Sequence, residues 1–344
     1  MSRVGVAPHS DSAWGTPTPA YRPTFPARGR GTTSTAQNSM SDNDDVPFNR
    51  DYPLVPGVVD HVRPGVRRIL CNNPSPFTFS GTNSYVVGQG NVAIIDPGPR
   101  NEAHVQALLD AVRGETVSHI FVTHTHNDHS PNTAALKAAT GATVYAEGPH
   151  RASRSRHDSE KHSPESGADR DFVPDVQLSD GDVVEGDGWA LEAVATPGHT
   201  ANHMAFSWRA KNYLFVADHV MGWSTSIVAP PDGSMIDYMA SLHKLAARPE
   251  DLYFPGHGPE IPEAQRFVRF LIRHRVAREA SILHRLAKGE ADIPTLVRAI
   301  YIGIDPRLTG AAGYSVLAHL EDLVARGVVA TDGDPVIGGS YRMA

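Results

Sequence analysis

The sequence predicts an α/β protein that ends in a smaller, helix-rich region. Between residues 58 and 253, short apolar runs typical of strands alternate with stretches of helical periodicity, a pattern that favours sheets covered by helices. After Pro262 the pattern changes to three helices followed by a hairpin, which is the outline of a winged helix. We therefore expect two folded parts, at 46–262 and 263–344, preceded by a separate N-terminal segment at 1–45.

The N-terminal segment has an unusual composition. Its 45 residues are rich in Pro, Ser, Thr, Gly and Asn and show almost no apolar periodicity. Such a segment cannot bury enough apolar surface to offset the entropy lost when a chain becomes ordered. We predict that it is disordered.

The overall composition is that of an ordinary globular protein. A chain of 344 residues with 40% hydrophobic content can bury one sizeable core and a smaller one, and its formal charge of −7 indicates no general affinity for nucleic acid. Cys71 is the only cysteine, which excludes an intrachain disulfide and a thiolate metal cluster. No apolar run reaches the roughly 18 residues of a membrane-spanning helix. We expect a cytoplasmic protein without membrane contact.

Seven apolar runs in the α/β part predict strands. They lie at 66–70, 84–87, 92–95, 120–122, 191–195, 203–208 and 213–217. Helical spacing marks 101–113 and 131–140, and a glycine follows each of these helices and ends it.

A polar stretch at 148–173 has neither strand nor helix spacing. It contains His150, His157 and His162, but histidines seven and five positions apart in such a stretch do not form a metal motif. We interpret the stretch as a solvated loop near the rim of an active site.

The helix-rich part contains three predicted helices, at 263–287, 293–301 and 313–326, and a predicted hairpin with strands at 328–330 and 335–337. Five arginines of the first helix alternate with apolar residues. They allow two interpretations, a basic face for phosphates or an amphipathic helix whose arginines are solvated or paired, and we favour the second. They are Arg266, Arg269, Arg273, Arg275 and Arg278.

The most informative stretch is HTHNDH at 124–129, which directly follows an apolar run. Imidazole nitrogens and carboxylate oxygens are ligands that zinc and similar divalent ions accept. The period-two spacing directs His124 and His126 at one ion, whereas Asp128 and His129 lie further on, where the chain turns into the next helix. The stretch predicts a metal site, and an open coordination position for water would make the protein a metallohydrolase.

Four other segments repeat the design of an apolar strand, a sharp Gly or Pro turn, and then an Asp or a His. They are IIDPG at 94–98, TPGHT at 196–200, ADH at 217–219 and FPGHG at 254–258. Ligands presented at strand ends can converge on one edge of a sheet.

Together these segments resemble the metallo-β-lactamase superfamily, whose binuclear hydrolases carry H-x-H-x-D-H followed by distant His, Asp and His. The resemblance extends over about residues 65–260 and implies that 46–262 is a catalytic domain with a four-layer αββα sandwich. It implies that one metal is held by His124, His126 and His199, the other by Asp128, His129 and His257, and that Asp218 bridges them.

The resemblance also implies a cofactor and a mechanism. The cofactor is a pair of Zn²⁺ ions, with Mn²⁺ or Fe²⁺ as alternatives. Two ions about 3.5–4 Å apart would use a bridging hydroxide as the nucleophile. Asp128 would orient that hydroxide, which makes Asp128 and Asp218 the expected catalytic residues.

Several polar neighbours are interpreted as supporting residues. The resemblance gives Asp96 a structural role beside the site, and Asn83 has two interpretations, a substrate contact or a turn. The others are expected to pack or to donate hydrogen bonds near the ligands: Thr125, Thr200, His203 and His219.

Three positions reduce the number of reactions that the resemblance implies. Antibiotic-degrading members commonly carry Cys or Ser at the position of Asp218, so this residue resembles glyoxalase II and the zinc ribonucleases instead. The diiron oxidoreductases of the superfamily carry Glu at the position of His126, which argues against redox chemistry. Glyoxalase II usually continues with Gly-Gly after the first motif, whereas Ser130 follows here, which argues against a glutathione thioester.

A closer resemblance, carried by NPSPFTFSGTNSY at 73–85 and by 196–204, is to the lactamase-beta-like subgroup. That subgroup includes a single-strand endoribonuclease, is similar to fungal enzymes that release polyketides from acyl carrier thioesters, and ends in a winged-helix-like domain. The resemblance then extends over about 50–340. Our first-choice substrate is a single-stranded RNA phosphodiester, and the alternative is an acyl-carrier or acyl-CoA thioester.

A hypothesis of another class is a nucleic-acid-binding regulatory protein with a structural metal site. Structural zinc sites are usually closed by four ligands and need no second metal, so the ligand set argues against it. We expect no sequence-specific DNA binding, and the sequence does not define the oligomeric state.

Overall fold

The computed structural model describes residues 48–160 and 167–344. These residues belong to one compact unit that spans 46–344. The predicted disorder of 1–45 and the prediction for His162 lie outside the described residues. None of the helices within the described ranges combines the length and the apolar character needed to cross a membrane.

The first sheet has seven strands whose spatial order follows the chain. They are β1 (Val59–Arg63), β2 (Val66–Leu70), β3 (Asn83–Gln89), β4 (Asn91–Ile95), β5 (Thr116–Phe121), β6 (Thr143–Ala146) and β7 (Val176–Gln177). Neighbours are antiparallel from β1 to β4 and parallel from β4 to β7. The first two parallel connections contain α1 (Glu102–Ala111) and α2 (Thr133–Thr140).

The second sheet has six strands, in the order β13-β12-β11-β10-β9-β8. They are β8 (Val183–Glu185), β9 (Ala190–Ala195), β10 (Met204–Trp208), β11 (Tyr213–Ala217), β12 (Leu252–Pro255) and β13 (Ile261–Pro262). All neighbours are antiparallel except β11 and β12, which are joined through α3 (Met235–Ala246). Strands β9, β11 and β12 therefore run in one direction.

The two sheets pack face to face around an aromatic core. Phe121 of the first sheet contacts Phe206 of the second with ring centroids 4.9 Å apart, and Tyr85 contacts Phe215 at 5.4 Å. Helices α1 and α2 cover the outer face of the first sheet, and α3 and α4 (Ala264–Leu286) cover that of the second. The expected αββα sandwich is confirmed.

The C-terminal part contains α5 (Ile293–Ile300), α6 (Thr309–Ala325) and a three-stranded sheet in the order β14-β16-β15. The strands are β14 (Ala291–Asp292), β15 (Val329–Thr331) and β16 (Ser340–Met343). Their core joins the end of α4 to α5 and α6. The Asp292 carboxylate caps α5 by accepting from Thr295 N at 2.8 Å.

The predicted hairpin is wrong in its second strand. The apolar residues at 335–337 form the connection instead, and the strand lies at Ser340–Met343. Tyr341 explains this register because its ring is fully buried and its hydroxyl donates to the Val336 carbonyl at 2.7 Å. Helix α6 also begins four residues before the predicted start. Helix α3 has no predicted counterpart, and neither do the strands β1, β6, β7, β8, β13 and β14.

The described residues 148–160 of the polar stretch are less solvated than predicted. His150 contacts the Thr125 hydroxyl through Nδ1 at 3.0 Å, and His157 contacts Asp334 at 3.1 Å. Arg154 donates to Glu160 at 2.7 Å and to Glu321 of α6 at 2.5 Å. These ion pairs hold residues 150–160 against the rest of the molecule, and sequence spacing alone could not reveal them.

A tight turn before His199 depends on a glycine. Gly198 has a φ of +137°, and a Cβ there would collide with the backbone of Tyr238 at the start of α3. The Gly198 carbonyl also accepts from Ser234 N at 2.9 Å. Only glycine permits both this backbone conformation and this close approach.

Replacing Gly198 by Ala should therefore lower the free energy of unfolding by more than roughly 3 kcal/mol, because helix α3 must shift. The matched control is Gly141→Ala, which also has a positive φ but open space around the new Cβ, and it should cost only about 1–2 kcal/mol. Urea unfolding measures both values. Equal losses would contradict the close-packing argument.

Candidate metal centre

The predicted ligands lie on loops that follow the carboxyl ends of four strands. The loop after β5 carries residues 124–129, and the segments after β9, β11 and β12 carry His199, Asp218 and His257. Parallel strands end at the same edge of a sheet, so these loops meet where the edges of the two sheets lie together. The structure brings all seven predicted ligands into two adjacent groups.

The first group consists of three histidines. His126 Nδ1 lies 3.1 Å from His124 Nε2 and 3.0 Å from His199 Nε2. A tetrahedral zinc site with Zn–N bonds of about 2.0–2.1 Å places its ligand atoms roughly 3.3 Å apart. The three nitrogens therefore have nearly the spacing that one zinc ion requires.

The second group contains two histidines and two carboxylates. His257 Nε2 lies 3.3 Å from an oxygen of Asp128 and 3.3 Å from an oxygen of Asp218. His129 Nε2 lies 3.5 Å from Asp218 and 3.8 Å from Asp128. His129 Nε2 and Asp218 Oδ1 are buried and have no hydrogen-bond partner among the described residues, which fits donors arranged for a metal ion.

Asp218 lies between the two groups. Its Oδ2 is 3.3 Å from His257 Nε2 in the second group and 3.7 Å from His199 Nε2 in the first. Its side chain is 8% exposed, whereas that of Asp128 is 27% exposed. The site therefore opens to solvent beside Asp128 and is closed beneath Asp218.

Two of the ligand histidines donate from their second ring nitrogen to a backbone carbonyl. His199 Nδ1 donates to the Ile227 carbonyl at 2.7 Å, and His257 Nδ1 donates to the Gly81 carbonyl at 3.1 Å. Such contacts fix the ring orientation and direct the other nitrogen inward. Carbonyl partners carry no side-chain signal, so sequence patterns could not identify them.

Asp96 supports the site without belonging to either group. One oxygen accepts from Thr123 N at 2.8 Å, and the other accepts from the Thr123 hydroxyl at 2.7 Å and from His129 Nδ1 at 2.9 Å. This carboxylate fixes the start of the 124–129 loop and the ring of His129. The contacts agree with the structural role expected from the sequence.

Burial and the neighbouring carboxylates shift the pKa values of the ligand histidines in opposite directions. Burial lowers the pKa of His124 well below its usual value and that of His126 to about 3, so both imidazoles are neutral and can bind a cation. Burial also disfavours charge on His257, but the Asp218 and Asp128 carboxylates outweigh it and raise its pKa to about 9. A bound cation can replace the proton held there.

Asn83 belongs to the framework of the site. It is fully buried, and its amide donates to the Pro255 carbonyl at 3.1 Å and to the Gly258 carbonyl at 2.8 Å. These bonds hold the turn that carries His257. The turn interpretation therefore fits the geometry better than a substrate contact.

The remaining predicted neighbours also lie outside the two groups. His203 Nδ1 contacts the Thr196 hydroxyl at 2.8 Å, and the His219 ring packs against Tyr238 with centroids 4.6 Å apart. The Thr125 and Thr200 hydroxyls both contact the Asn202 side chain. These residues pack around the ligands, as expected.

The five arginines of α4 differ in their exposure and in their partners. Arg266, Arg269 and Arg273 are exposed. Arg266 pairs with Glu263 at 3.4 Å. Arg275 is buried, and Arg278 donates to the Ile300 carbonyl at 3.2 Å. The favoured interpretation, an amphipathic packing helix, agrees with this arrangement.

Comparisons with known proteins identify the family. The metallo-beta-lactamase superfamily model matches residues 77–257, and the beta-lactamase associated winged helix domain model matches residues 293–339. The chain belongs to the metallo-β-lactamase superfamily. It is a metal-dependent hydrolase of that superfamily, and its His and Asp cluster is suited to metal ions.

Two related proteins and one solved structure are similar to this chain. A beta-lactamase-like protein 2 homolog from Caenorhabditis elegans is 32% identical over 67% of this chain and 74% of its own length. An atrochrysone carboxyl ACP thioesterase from Aspergillus aculeatus is 30% identical over 69% of this chain and 70% of its own. A beta-lactamase domain protein from Burkholderia ambifaria shares the fold, with a TM-score of 0.70 and 22% identity over 86% of this chain and 97% of its own.

The contacts of Asp96 predict an effect on metal binding. Asp96→Asn retains the shape but replaces one accepting oxygen by an NH₂ group, so either Thr123 or His129 loses its acceptor. Metal affinity should fall about 10–100-fold. Chelator competition measures it, and the control is Asp187→Asn at an exposed position. Unchanged affinity in the Asp96 variant would contradict the supporting role.

Proposed function

We propose that the chain is a binuclear zinc hydrolase that cleaves thioesters. The observation that carries the proposal is the pair of ligand groups with the Asp218 carboxylate between them. His124, His126 and His199 hold one ion and Asp128, His129 and His257 hold the other. Mn²⁺ and Fe²⁺ are alternatives to Zn²⁺, because imidazole and carboxylate ligands bind all three.

Bound ions supply activated water at neutral pH and polarise the carbonyl that is attacked. The Asp218 carboxylate lies between the two ligand groups, within 3.7 Å of a histidine nitrogen in each of them. Asp128 has the greater exposure of the two carboxylates and is near His257, so it is placed to orient the attacking water. A substrate carbonyl approaches from this open side.

Thioester hydrolysis replaces RNA cleavage as our leading hypothesis. The Aspergillus aculeatus relative is named as an acyl carrier thioesterase, which supports the thioester alternative. A basic face on α4 for RNA phosphates has little support, because Arg275 and Arg278 donate to carbonyls of the protein itself. A carbonyl carbon attached to sulfur is therefore the preferred reaction centre.

The domain division is also a proposal. We assign 46–262 to the catalytic domain and 263–344 to the winged-helix-like domain, although α4 contributes to the cores of both. We also propose that the protein is cytoplasmic and does not bind DNA sequence-specifically.

The decisive assay compares acyl-CoA and acyl carrier thioesters with labelled single-stranded RNA, using purified full-length protein. We expect chelator-sensitive thioester cleavage and no RNA cleavage. RNA cleavage without thioester cleavage would reverse the assignment.

Asp218→Asn should reduce thioester turnover by more than about 100-fold, because the carboxylate shared by the two groups is lost. The exposed control Asp187→Asn should retain activity.

A further inference from the structure

Arg275 is a buried cation close to the metal centre. It lies on α4 and is 2% exposed. Its Nη2 donates to the Ser226 carbonyl, and its Cζ lies 5.0 Å from the ring centroid of Tyr238. Burying a guanidinium costs free energy unless hydrogen bonds and ring contacts compensate. The contacts with Ser226 and Tyr238 provide this compensation.

The segment that Arg275 contacts has irregular structure. Residues 219–228 connect β11 to the region before α3, and their buried carbonyls accept from side chains. The His219 carbonyl accepts from the Ser226 hydroxyl at 2.9 Å and from the Tyr238 hydroxyl at 3.1 Å. Buried carbonyls without such donors would destabilise the segment, so these donors determine its conformation.

This segment also orients a metal-binding histidine. The Ile227 carbonyl, one residue after the Ser226 carbonyl, accepts from His199 Nδ1 at 2.7 Å. Two consecutive carbonyls therefore connect the Arg275 guanidinium to the His199 ring. The inward nitrogen of that ring lies 3.0 Å from His126 Nδ1.

We propose that Arg275 is a positioning residue for the three-histidine group: by fixing the Ser226 carbonyl, it fixes the Ile227 carbonyl that orients His199. The inference rests on the proposed ligation of a metal by His199. It assigns helix α4, which joins the α/β part to the C-terminal part, a role in metal binding at the catalytic centre.

Arg278 provides a matched control. It lies one helical turn further along α4, donates to the Ile300 carbonyl at 3.2 Å and stacks on Tyr301 at 4.0 Å. Its contacts are with the C-terminal part and not with the 219–228 segment. A general weakening of α4 would therefore affect Arg278 variants as well.

The experiment titrates metal-free full-length protein with Zn²⁺ against a chromogenic chelator and resolves two dissociation constants. In Arg275→Met, we expect one constant to weaken at least about 10-fold, since partners that orient ligands typically contribute that much, while the other stays within about twofold. The Co²⁺ absorption spectrum should change for the weakened site. Arg278→Met should leave both constants and the spectrum unchanged.

If the Arg275→Met variant does not fold, the same titration of Arg275→Lys tests the proposal. Lysine lacks the planar fork of arginine, so a smaller weakening of about threefold is expected in the same constant. Unchanged constants in a folded Arg275 variant, or equal weakening in Arg278→Met, would overturn the proposal. A wild-type protein that binds no metal would instead refute the proposed function, and two bound metals without thioester cleavage would refute only the substrate.

Discussion

The geometry of the metal centre depends on one buried carboxylate, that of Asp218, which lies between two sets of imidazoles. Its Oδ2 lies 3.3 Å from His257 Nε2 and 3.7 Å from His199 Nε2, and the residue is almost inaccessible to solvent. A buried carboxylate beside neutral imidazoles is costly without compensating positive charge. Although both rings are buried, the neighbouring carboxylates raise the pKa of His129 and of His257, which favours positive charge on both rings. Two bound cations would supply that charge more completely.

The fold provides this geometry by ending several strands at one place. Parallel pairs β4–β5 and β11–β12 deliver Asp96, the 124–129 loop, Asp218 and His257 to adjoining edges. Irregular loops there need many hydrogen-bond donors, and the protein supplies them from distant segments. Asn83 from β3 holds the turn of His257, and Arg275 from α4 holds the segment that contacts His199. Helix α4 is therefore part of the framework of the site.

The sequence was sufficient for the elements and residues with a local signature. Strand-like runs before Gly or Pro turns located the ligand segments, and glycines such as Gly141 located helix ends. It was insufficient where long-range contacts decide the outcome. Arg275 looked like its exposed neighbours Arg269 and Arg273, and only tertiary packing separates them. The second hairpin strand was misplaced because the burial of Tyr341 decides the register rather than the apolar run before it.

The most direct test of the account is anomalous diffraction at the zinc absorption edge from crystals of the zinc-loaded protein. The account predicts two peaks about 3.5–4 Å apart, one beside His124, His126 and His199 and the other beside Asp128, His129 and His257, with Asp218 in contact with both. A single peak, or two peaks of which one lies away from these side chains, would contradict it.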